Sequence, residues 1–273
     1  MAISTPTPRL GPDDVPRPVA GLAWDYPAGY RVPVHQHRKS QLVYARSGVM
    51  TVTTSDGSWV VPPQRAVWVP GETDHQIAMA GAVQMRTLYL DRAAARTLPT
   101  RCGVVAVSPL LRELILKALD LEPLYPERGT EQRLIDVLLD EIRATPIAPL
   151  HLPLPSEARM RVVIDALLAD PADARGLAEW ASHAGAGART LARLFEREAG
   201  MSFGAWRQQL RLLRSLEQLG AGESVTNVAL AVGYESPSAF ISMFRRNLGT
   251  TPARYFDSPD QADSRAGSRS SAI

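Results

Sequence analysis

The spacing of apolar residues changes once along the chain, and this change restricts the possible folds more than any other feature. Over residues 22–90 short apolar segments are punctuated by Gly and Pro, a pattern typical of β-strands. After Asp91 the apolar residues recur with the period of about 3.6 that marks amphipathic helices. The sequence therefore predicts the α+β class, with an N-terminal β-barrel followed by helices.

Length and composition predict how the chain is divided into domains and linkers. At 273 residues it is long enough for two domains that each bury a core. Prolines cluster near residue 150, and both ends lack periodicity, which predicts a stiff linker and loose termini. We expect a flexible arm over residues 1–20, a β-barrel over 21–92, a helical region over 93–145, a Pro-rich linker over 146–155, a helical domain over 156–256 that begins at an N-cap on Ser156, and a disordered tail over 257–273.

The helical region carries one apolar stripe, formed by Leu134, Ile135, Leu138, Leu139 and Ile142. Two interpretations remain open for it. The stripe is either the seam of a homodimer or a face that packs within the same chain. We name residues 93–145 the dimerisation and linking region on the first interpretation.

Charge and cysteine content limit the function classes. The 30 basic residues nearly balance the 28 acidic ones, so binding to nucleic acid requires a local patch. Cys102 is the only cysteine, which excludes an intramolecular disulfide framework and fits a reducing compartment such as the cytoplasm. The sequence has no signal-like apolar core and no apolar run near the ~18 residues of a membrane span, so we expect no membrane association.

Three histidines fall within the β-rich half. His35 and His37 are two residues apart, so a strand would present both on one face, and His75 follows in a neighbouring segment. Three neutral imidazoles with open positions are a ligand set for Zn, Ni, Co or Fe. The spacing predicts a candidate site for one divalent metal.

The spacing of these residues resembles the cupin superfamily. Its first motif is matched by Gly29, His35, His37, Gln41 and Gly48, and its second by Val69, Pro70, Gly71 and His75. The resemblance implies a cupin-like barrel with an effector or metal at His35, His37, Gln41 and His75. Gln41 stands where the metal-binding form has Glu, and Met79 stands where Asn is frequent. Three interpretations stay open. The histidines form a metal site, they line a metal-free polar pocket for an effector, or they are a relic of the fold without a function.

The mouth of a small barrel is a natural cavity for one ligand. We include Tyr44, Arg46 and Trp68 as candidate pocket residues, with Trp24 as a further aromatic neighbour. The alternative for each aromatic residue is a place in the core.

Two stretches in the C-terminal half have the pattern of helix, Gly-containing turn and helix. In the first, Leu191, Leu194 and Phe195 mark the buried face of the second helix, which leaves Arg189, Thr190, Arg193 and Arg197 outside. Arginines on one exposed helix face suit guanine edges and phosphates in a major groove. A solvated face with no function is the alternative.

In the second stretch Ser236 can cap a helix that begins at Pro237. Phe240, Phe244 and Leu248 repeat every four residues as its core face. The outward positions are Ser238, Ser242 and Arg246, with Arg245 near the helix edge. For Arg245 a structural salt bridge or a phosphate contact is the alternative to base readout.

This second stretch resembles the AraC/XylS family of bacterial transcription regulators. The matching residues are Ala229, Gly233, Tyr234, Ser236, Ser238, Phe240, Phe244, Arg245, Gly249, Pro252 and Tyr255. The first stretch fits the same family at Arg189, Leu191, Phe195, Gly200 and Trp206, with Gly187 where Ser is frequent. The resemblance implies a DNA-binding domain over residues 156–256. Two reading helices, 188–198 and 237–247, would enter successive major grooves.

The sequence thus favours a transcription regulator that binds promoter DNA and responds to a small molecule or metal in the barrel. We expect a homodimer, with RNA polymerase as a partner if it activates transcription. A metal-dependent cupin enzyme, such as a dioxygenase or isomerase with a fused DNA-binding domain, is the alternative from another class. A DNA-binding protein whose barrel is only a scaffold is the third. We expect no enzymatic activity, because Gln41 replaces the acidic ligand and no acid/base partner accompanies the histidines.

Overall fold

The computed structural model describes residues 11–144, 147–148 and 150–256, and they form two compact units. The first unit holds residues 11–54 and 61–148 as far as they are described. The second holds residues 55–60 together with 150–256. The strands and helices segregate as the α+β prediction requires, so the fold class is confirmed. None of the described helices is long and apolar enough to span a membrane.

Two antiparallel sheets form the first unit. The larger sheet has the strand order β1-β8-β3-β6-β9-β10, and the other holds β7 between β4 and β2. Their bounds are β1 (Val19–Tyr26), β2 (Arg31–His35), β3 (Ser40–Ser47), β4 (Met50–Thr53), β6 (Arg65–Val69), β7 (His75–Met79), β8 (Val83–Leu90), β9 (Gly103–Ala106) and β10 (Ile147–Ala148), while β5 (Gly57–Val61) begins in the second unit. The arrangement fits a cupin-like jelly roll.

The described part of the first unit also contains three α-helices: α1 (Arg92–Ala95), α2 (Pro109–Leu119) and α3 (Thr130–Ala144). Ser108 caps α2 by accepting a hydrogen bond from the Leu111 N–H, and Pro109 occupies the first turn. The helices cover one face of the larger sheet, where Leu42, Tyr44 and Leu88 join α2 and α3 in one apolar core.

The apolar stripe of α3 belongs to that core. Ile135, Leu138, Leu139 and Ile142 are each at most 6% exposed, and Leu134 packs against the same cluster. The expected homodimer seam on this stripe is therefore wrong, because the stripe is already covered by the sheet of its own unit. The alternative, packing within the chain, is correct.

Three predicted segment boundaries need correction. The arm expected over residues 1–20 is ordered from a 3-10 helix at Pro12–Asp14, and Val15 and Val19 are buried. The region 93–145 is not wholly helical, because β9 lies within it and pairs with β6. The linker 146–155 contains two short strands, β10 and β11 (His151–Pro153). Edge pairing with β9 and β5 explains them, and Pro153 is tolerated because β11 lies at an edge. The tail 257–273 lies outside the described residues.

The second unit is mostly helical. Its elements are α4 (Ala158–Ala169), α5 (Leu177–His183), α6 (Ala188–Leu194), a π-helical turn at Phe195–Ala199, α7 (Phe203–Gly220), α8 (Val225–Ala231), α9 (Pro237–Leu248) and α10 (Pro252–Phe256), with β5 paired to β11. The predicted cap on Ser156 is wrong, because Glu157 accepts the capping hydrogen bond from the Met160 N–H. Ser236 caps α9 as predicted, by accepting from the Ala239 N–H.

One glycine of the second unit is required by its position. Gly233 ends the turn between α8 and α9 with a φ of +81°, which residues with a Cβ rarely adopt. A Cβ there would also lie 2.8 Å from the Ala172 Cα. The close approach of the α4–α5 connection and the turn geometry together explain the glycine of the predicted motif.

Candidate functional site

The three histidines of the first unit converge. His35 ends β2 and His75 begins β7, and the two residues are register partners across these antiparallel strands. His37 lies two residues beyond the end of β2, and its ring centroid is 4.9 Å from that of His35 and 5.6 Å from that of His75. One ring nitrogen from each histidine lies within 4.8 Å of the others. The predicted triad is therefore brought together.

Hydrogen bonds fix which nitrogen each ring presents. The Nδ1 atoms of His35 and His75 lie 2.8 and 2.9 Å from the carbonyl oxygens of Pro33 and Thr73. A carbonyl only accepts, so both Nδ1 atoms donate and both neutral rings keep a lone pair on Nε2. Metal-binding histidines are commonly held by such backbone contacts. The Nε2 of His37 is buried and finds no hydrogen-bond partner among the described residues.

Gln41 completes the cluster from β3. Its Nε2 donates to Thr87 Oγ1 at 2.9 Å and to the Tyr89 hydroxyl at 3.0 Å. Thr87 Oγ1 donates its own hydrogen to the Leu42 carbonyl oxygen, so it can only accept from Gln41. With these two donations, Gln41 Oε1 faces His75 Nε2 at 3.1 Å.

This contact places two acceptors opposite each other. His75 has already donated its Nδ1 hydrogen, so its Nε2 and the Gln41 oxygen share no proton while the ring is neutral. Burial disfavours the imidazolium and lowers the pKa of His75 to about 4. Ligand atoms 2.0–2.2 Å from one ion lie roughly 3 Å apart, so a cation fits this pair of atoms. The residues present therefore suit a divalent metal.

The cluster carries little charge of its own. Burial and the neighbouring His35 lower the pKa of His37, which favours the neutral form that ligates metals. Within the described part of the chain the ligating group consists of histidines alone. An ion bound there would keep most of its positive charge, because Gln41 supplies an amide where an acidic residue would supply a carboxylate.

The predicted pocket residues do not share this site. Tyr44 is 1% exposed and packs into the core under α2 and α3, so its assignment to a barrel pocket is wrong. It alternates with Gln41 along β3 and therefore points to the opposite face. Arg46 is exposed on β3, and Trp68 belongs to the same core as Tyr44 while its edge lines a separate surface cleft.

The outward residues of the first reading helix are where the sequence placed them. Arg189, Thr190 and Arg193 are exposed on α6, and Arg197 is exposed on the π-helical turn that follows. Arg189 and Arg193 form no ion pair with any residue that the structure describes, whereas Arg197 pairs with Glu198 at 2.7 Å. The opposite face of α6 is buried, so this basic face is available.

The second reading helix, α9, also buries one face and exposes the other. Phe240, Met243 and Phe244 are buried under α9. Its outward residues Ser238, Ser242, Arg245 and Arg246 are all exposed. Arg245 forms no ion pair with the described residues, which removes the support for a structural salt bridge.

Sequence reasoning missed two groups. Thr87 and Tyr89 orient Gln41, and the polar side chains that alternate with Leu88 and Leu90 in β8 are a signal that could have identified them. The second group is a row of arginines on α7 that hold the α4–α5 connection. Arg207, Arg211 and Arg214 donate to the carbonyl oxygens of Arg175, Pro171 and Leu168, respectively.

These features define a class of protein: a DNA-binding domain with two helix-turn-helix units, joined to a β-sheet domain with a ligand-type site. Comparison with known families agrees. Residues 180–258 match the helix-turn-helix domain family, and residues 18–151 match the AraC-like ligand binding domain family.

The chain belongs to the AraC family of transcription regulators. It is 41% identical over 223 residues to the HTH-type transcriptional regulator NimR of Escherichia coli K12, which covers 82% of this chain and 81% of NimR. It is also 37% identical over 103 residues to the HTH-type transcriptional regulator RipA of Corynebacterium glutamicum, covering 38% of this chain and 31% of RipA. A 1.65 Å structure of ToxT from Vibrio cholerae aligns at 10% identity and a TM-score of 0.38, covering 88% of this chain and 98% of ToxT.

Proposed function

We propose that this AraC-family regulator reads promoter DNA with α6 and α9. The observation that carries the proposal is that both helices bury one face and expose polar and basic side chains on the other. We assign Arg189, Thr190, Arg193 and Arg197 to the first half-site and Ser238, Ser242, Arg245 and Arg246 to the second. The short serines suit backbone contacts, and the arginines suit guanine or phosphate.

A gel-shift titration tests this assignment with the promoter region of the protein's own gene. We expect binding that survives a large excess of nonspecific DNA and falls steeply with salt, because several phosphates are neutralised. Equal affinity for unrelated DNA would overturn sequence-specific reading.

For the first unit we propose a divalent metal sensor. His35, His37 and His75 would hold the ion together with Gln41, and the supporting observation is the set of ring nitrogens that point inward without a proton donor. When bound, the ion supplies a positive charge and open coordination positions that an effector can occupy. Metal occupancy would then change DNA affinity through unequal binding to two conformations of the regulator.

The metal content of untagged protein purified without chelators tests the sensor site. We expect about one Zn, Ni, Co or Fe per chain at the triad, with loss of the ion in a His75→Ala variant. A His183→Ala variant is the matched control, because it removes an exposed histidine outside the cluster. Protein that is purified without metal and binds none of the four ions would contradict the metal site. The same polar side chains would then be assigned to an organic effector.

We propose a regulator without catalytic activity, acting in the cytoplasm where promoter DNA lies. Two observations support this. The relatives that show the family are transcriptional regulators, and the described ligating cluster offers no carboxylate for acid/base work. Turnover of a substrate by metal-loaded protein would contradict the proposal.

We retain a homodimer as a proposal, with RNA polymerase as a partner at promoters that the protein activates. Because the α3 stripe is covered, the dimer contact must use another surface, and Leu110 on α2 and Val137 on α3 are exposed apolar residues that could contribute to it. Sedimentation at several concentrations measures the mass. A monomer at every concentration would contradict the dimer.

A further inference from the structure

A second cleft lies on the first unit, outside the histidine cluster. It has a volume of about 590 Å³, within the range of small-molecule sites. Three segments form its walls: residues 38–40 at the start of β3, the turn at residues 70–72, and residues 92–100 around α1. None of its lining residues belongs to the histidine cluster.

The charge of the cleft is positive. Arg38, Arg92 and Arg96 line it against one acidic residue, Glu72. Arg38 is engaged, because it donates to Asp14 at 3.1 Å. Arg92 and Arg96 are exposed and form no ion pair with the described residues. They are four residues apart, a spacing at which like charges on a helical turn repel each other. A bound anion would relieve that repulsion.

The walls are held in place before any ligand arrives. The Trp68 indole Nε1 donates to the Pro99 carbonyl oxygen at 2.8 Å, which ties the end of β6 to the segment after α1. The Glu72 N–H donates to the His37 carbonyl oxygen at 2.6 Å, which ties the turn to the start of β3. A cleft with fixed walls loses little conformational entropy when it binds.

The turn is itself unusual. Gly71 has no room for a side chain, because a Cβ would lie 2.5 Å from the Arg38 carbonyl oxygen. Glu72 has a φ of +61°, in the left-handed region that non-glycine residues rarely adopt. Strained backbone of this kind clusters at binding sites, where the surrounding contacts hold it.

We propose that this cleft binds a small organic anion, whose carboxylate or phosphate group is held by Arg92 and Arg96. Guanidinium groups recognise both oxyanions through paired hydrogen bonds. An apolar part of the same molecule lies against Trp68 and Leu98. The proposal goes beyond the proposed function, because it requires neither the metal nor the DNA contacts.

Calorimetric titration of the full chain with benzoate, phenyl phosphate and neutral benzamide tests the proposal. The two anions distinguish a carboxylate site from a phosphate site, and benzamide offers the same ring without charge. We expect saturable binding of at least one anion with a Kd of about 1 mM or tighter, and no measurable binding of benzamide. EDTA should leave the result unchanged, so that failure of the metal site and failure of this site are distinguishable.

Paired variants locate the binding. Arg92→Gln combined with Arg96→Gln should raise the Kd at least about tenfold, because two charge-assisted contacts are lost. Arg101→Gln combined with Arg128→Gln is the control, since it removes two exposed arginines of the same unit that do not line the cleft. All four positions are exposed, so melting temperatures should stay close to that of the parent protein. No saturable binding of either anion, or an equal loss in the control, would overturn the proposal.

Discussion

Gln41 is the neutral side chain whose amide oxygen faces His75 in the histidine cluster. The sequence identified it as a departure from the metal-binding cupin pattern. It could not show that Thr87 and Tyr89 turn the amide oxygen toward His75, because that orientation comes from β8, a strand more than forty residues away. The histidines and Gln41 were predictable, whereas Thr87, Tyr89 and the direction of the amide required the tertiary structure.

A Gln41→Glu substitution tests this orientation. A carboxylate facing the three imidazoles should tighten Zn²⁺ binding at least about tenfold, since it neutralises part of the ion's charge. The same change should lower the melting temperature of the metal-free protein, because an unpaired charge is buried. Competition with a chromogenic chelator measures the affinity.

Gln76→Glu is the matched control. Gln76 is exposed next to His75, so this substitution adds the same negative charge outside the cluster. Equal tightening by both variants would show that Gln41 does not face the ion.

Arg189 carries the corresponding prediction for DNA reading. Arg189→Ala should weaken binding to the target promoter by about 1 to 3 kcal/mol and relax the preference at one base pair, if the side chain contacts a base edge. Gel-shift titration against single-base variants of the site measures both effects. Arg161→Ala serves as the control, because Arg161 lies on α4 and pairs with Asp165. A loss of affinity that is uniform across sequences would assign Arg189 to a phosphate.

At the scale of elements, periodicity predicted the helices better than the strands. The bounds of α9 agree with expectation because a strong apolar face and the cap at Ser236 define the helix locally. The strands β9, β10 and β11 were missed, since each has four residues or fewer and pairs with a strand distant in sequence. Pairing across the chain is a tertiary effect that a local pattern does not encode.

The burial of the α3 stripe can be tested by truncating one of its side chains. Leu138 is fully buried, so Leu138→Ala should lower the free energy of unfolding by about 2 to 5 kcal/mol without changing the oligomeric state. Val162→Ala, at a position on α4 that is 44% exposed, should have little effect. Urea unfolding and sedimentation provide the two measurements. A Leu138→Ala protein of unchanged stability but altered mass would restore the stripe as a dimer seam.

For the whole molecule, the sequence predicted a β-sheet domain with a histidine cluster and a helical DNA-binding domain. The structure adds the positions of the side chains within each of them. The exposed faces of α6 and α9 were predictable because burial of the opposite face leaves few alternatives. The convergence of His35, His37 and His75 was predictable from their spacing. The anion cleft was not predictable, because its walls come from three separate segments and its arginines follow no motif.

We propose that metal occupancy of the histidine cluster controls DNA binding. The most direct test measures the DNA affinity of one full-length preparation before and after removal of the ion, and again after its return. We predict a reversible change in Kd of at least about fivefold, a coupling of roughly 1 kcal/mol, which disappears in His75→Ala. An identical DNA affinity with and without bound metal would contradict control of DNA binding by the metal.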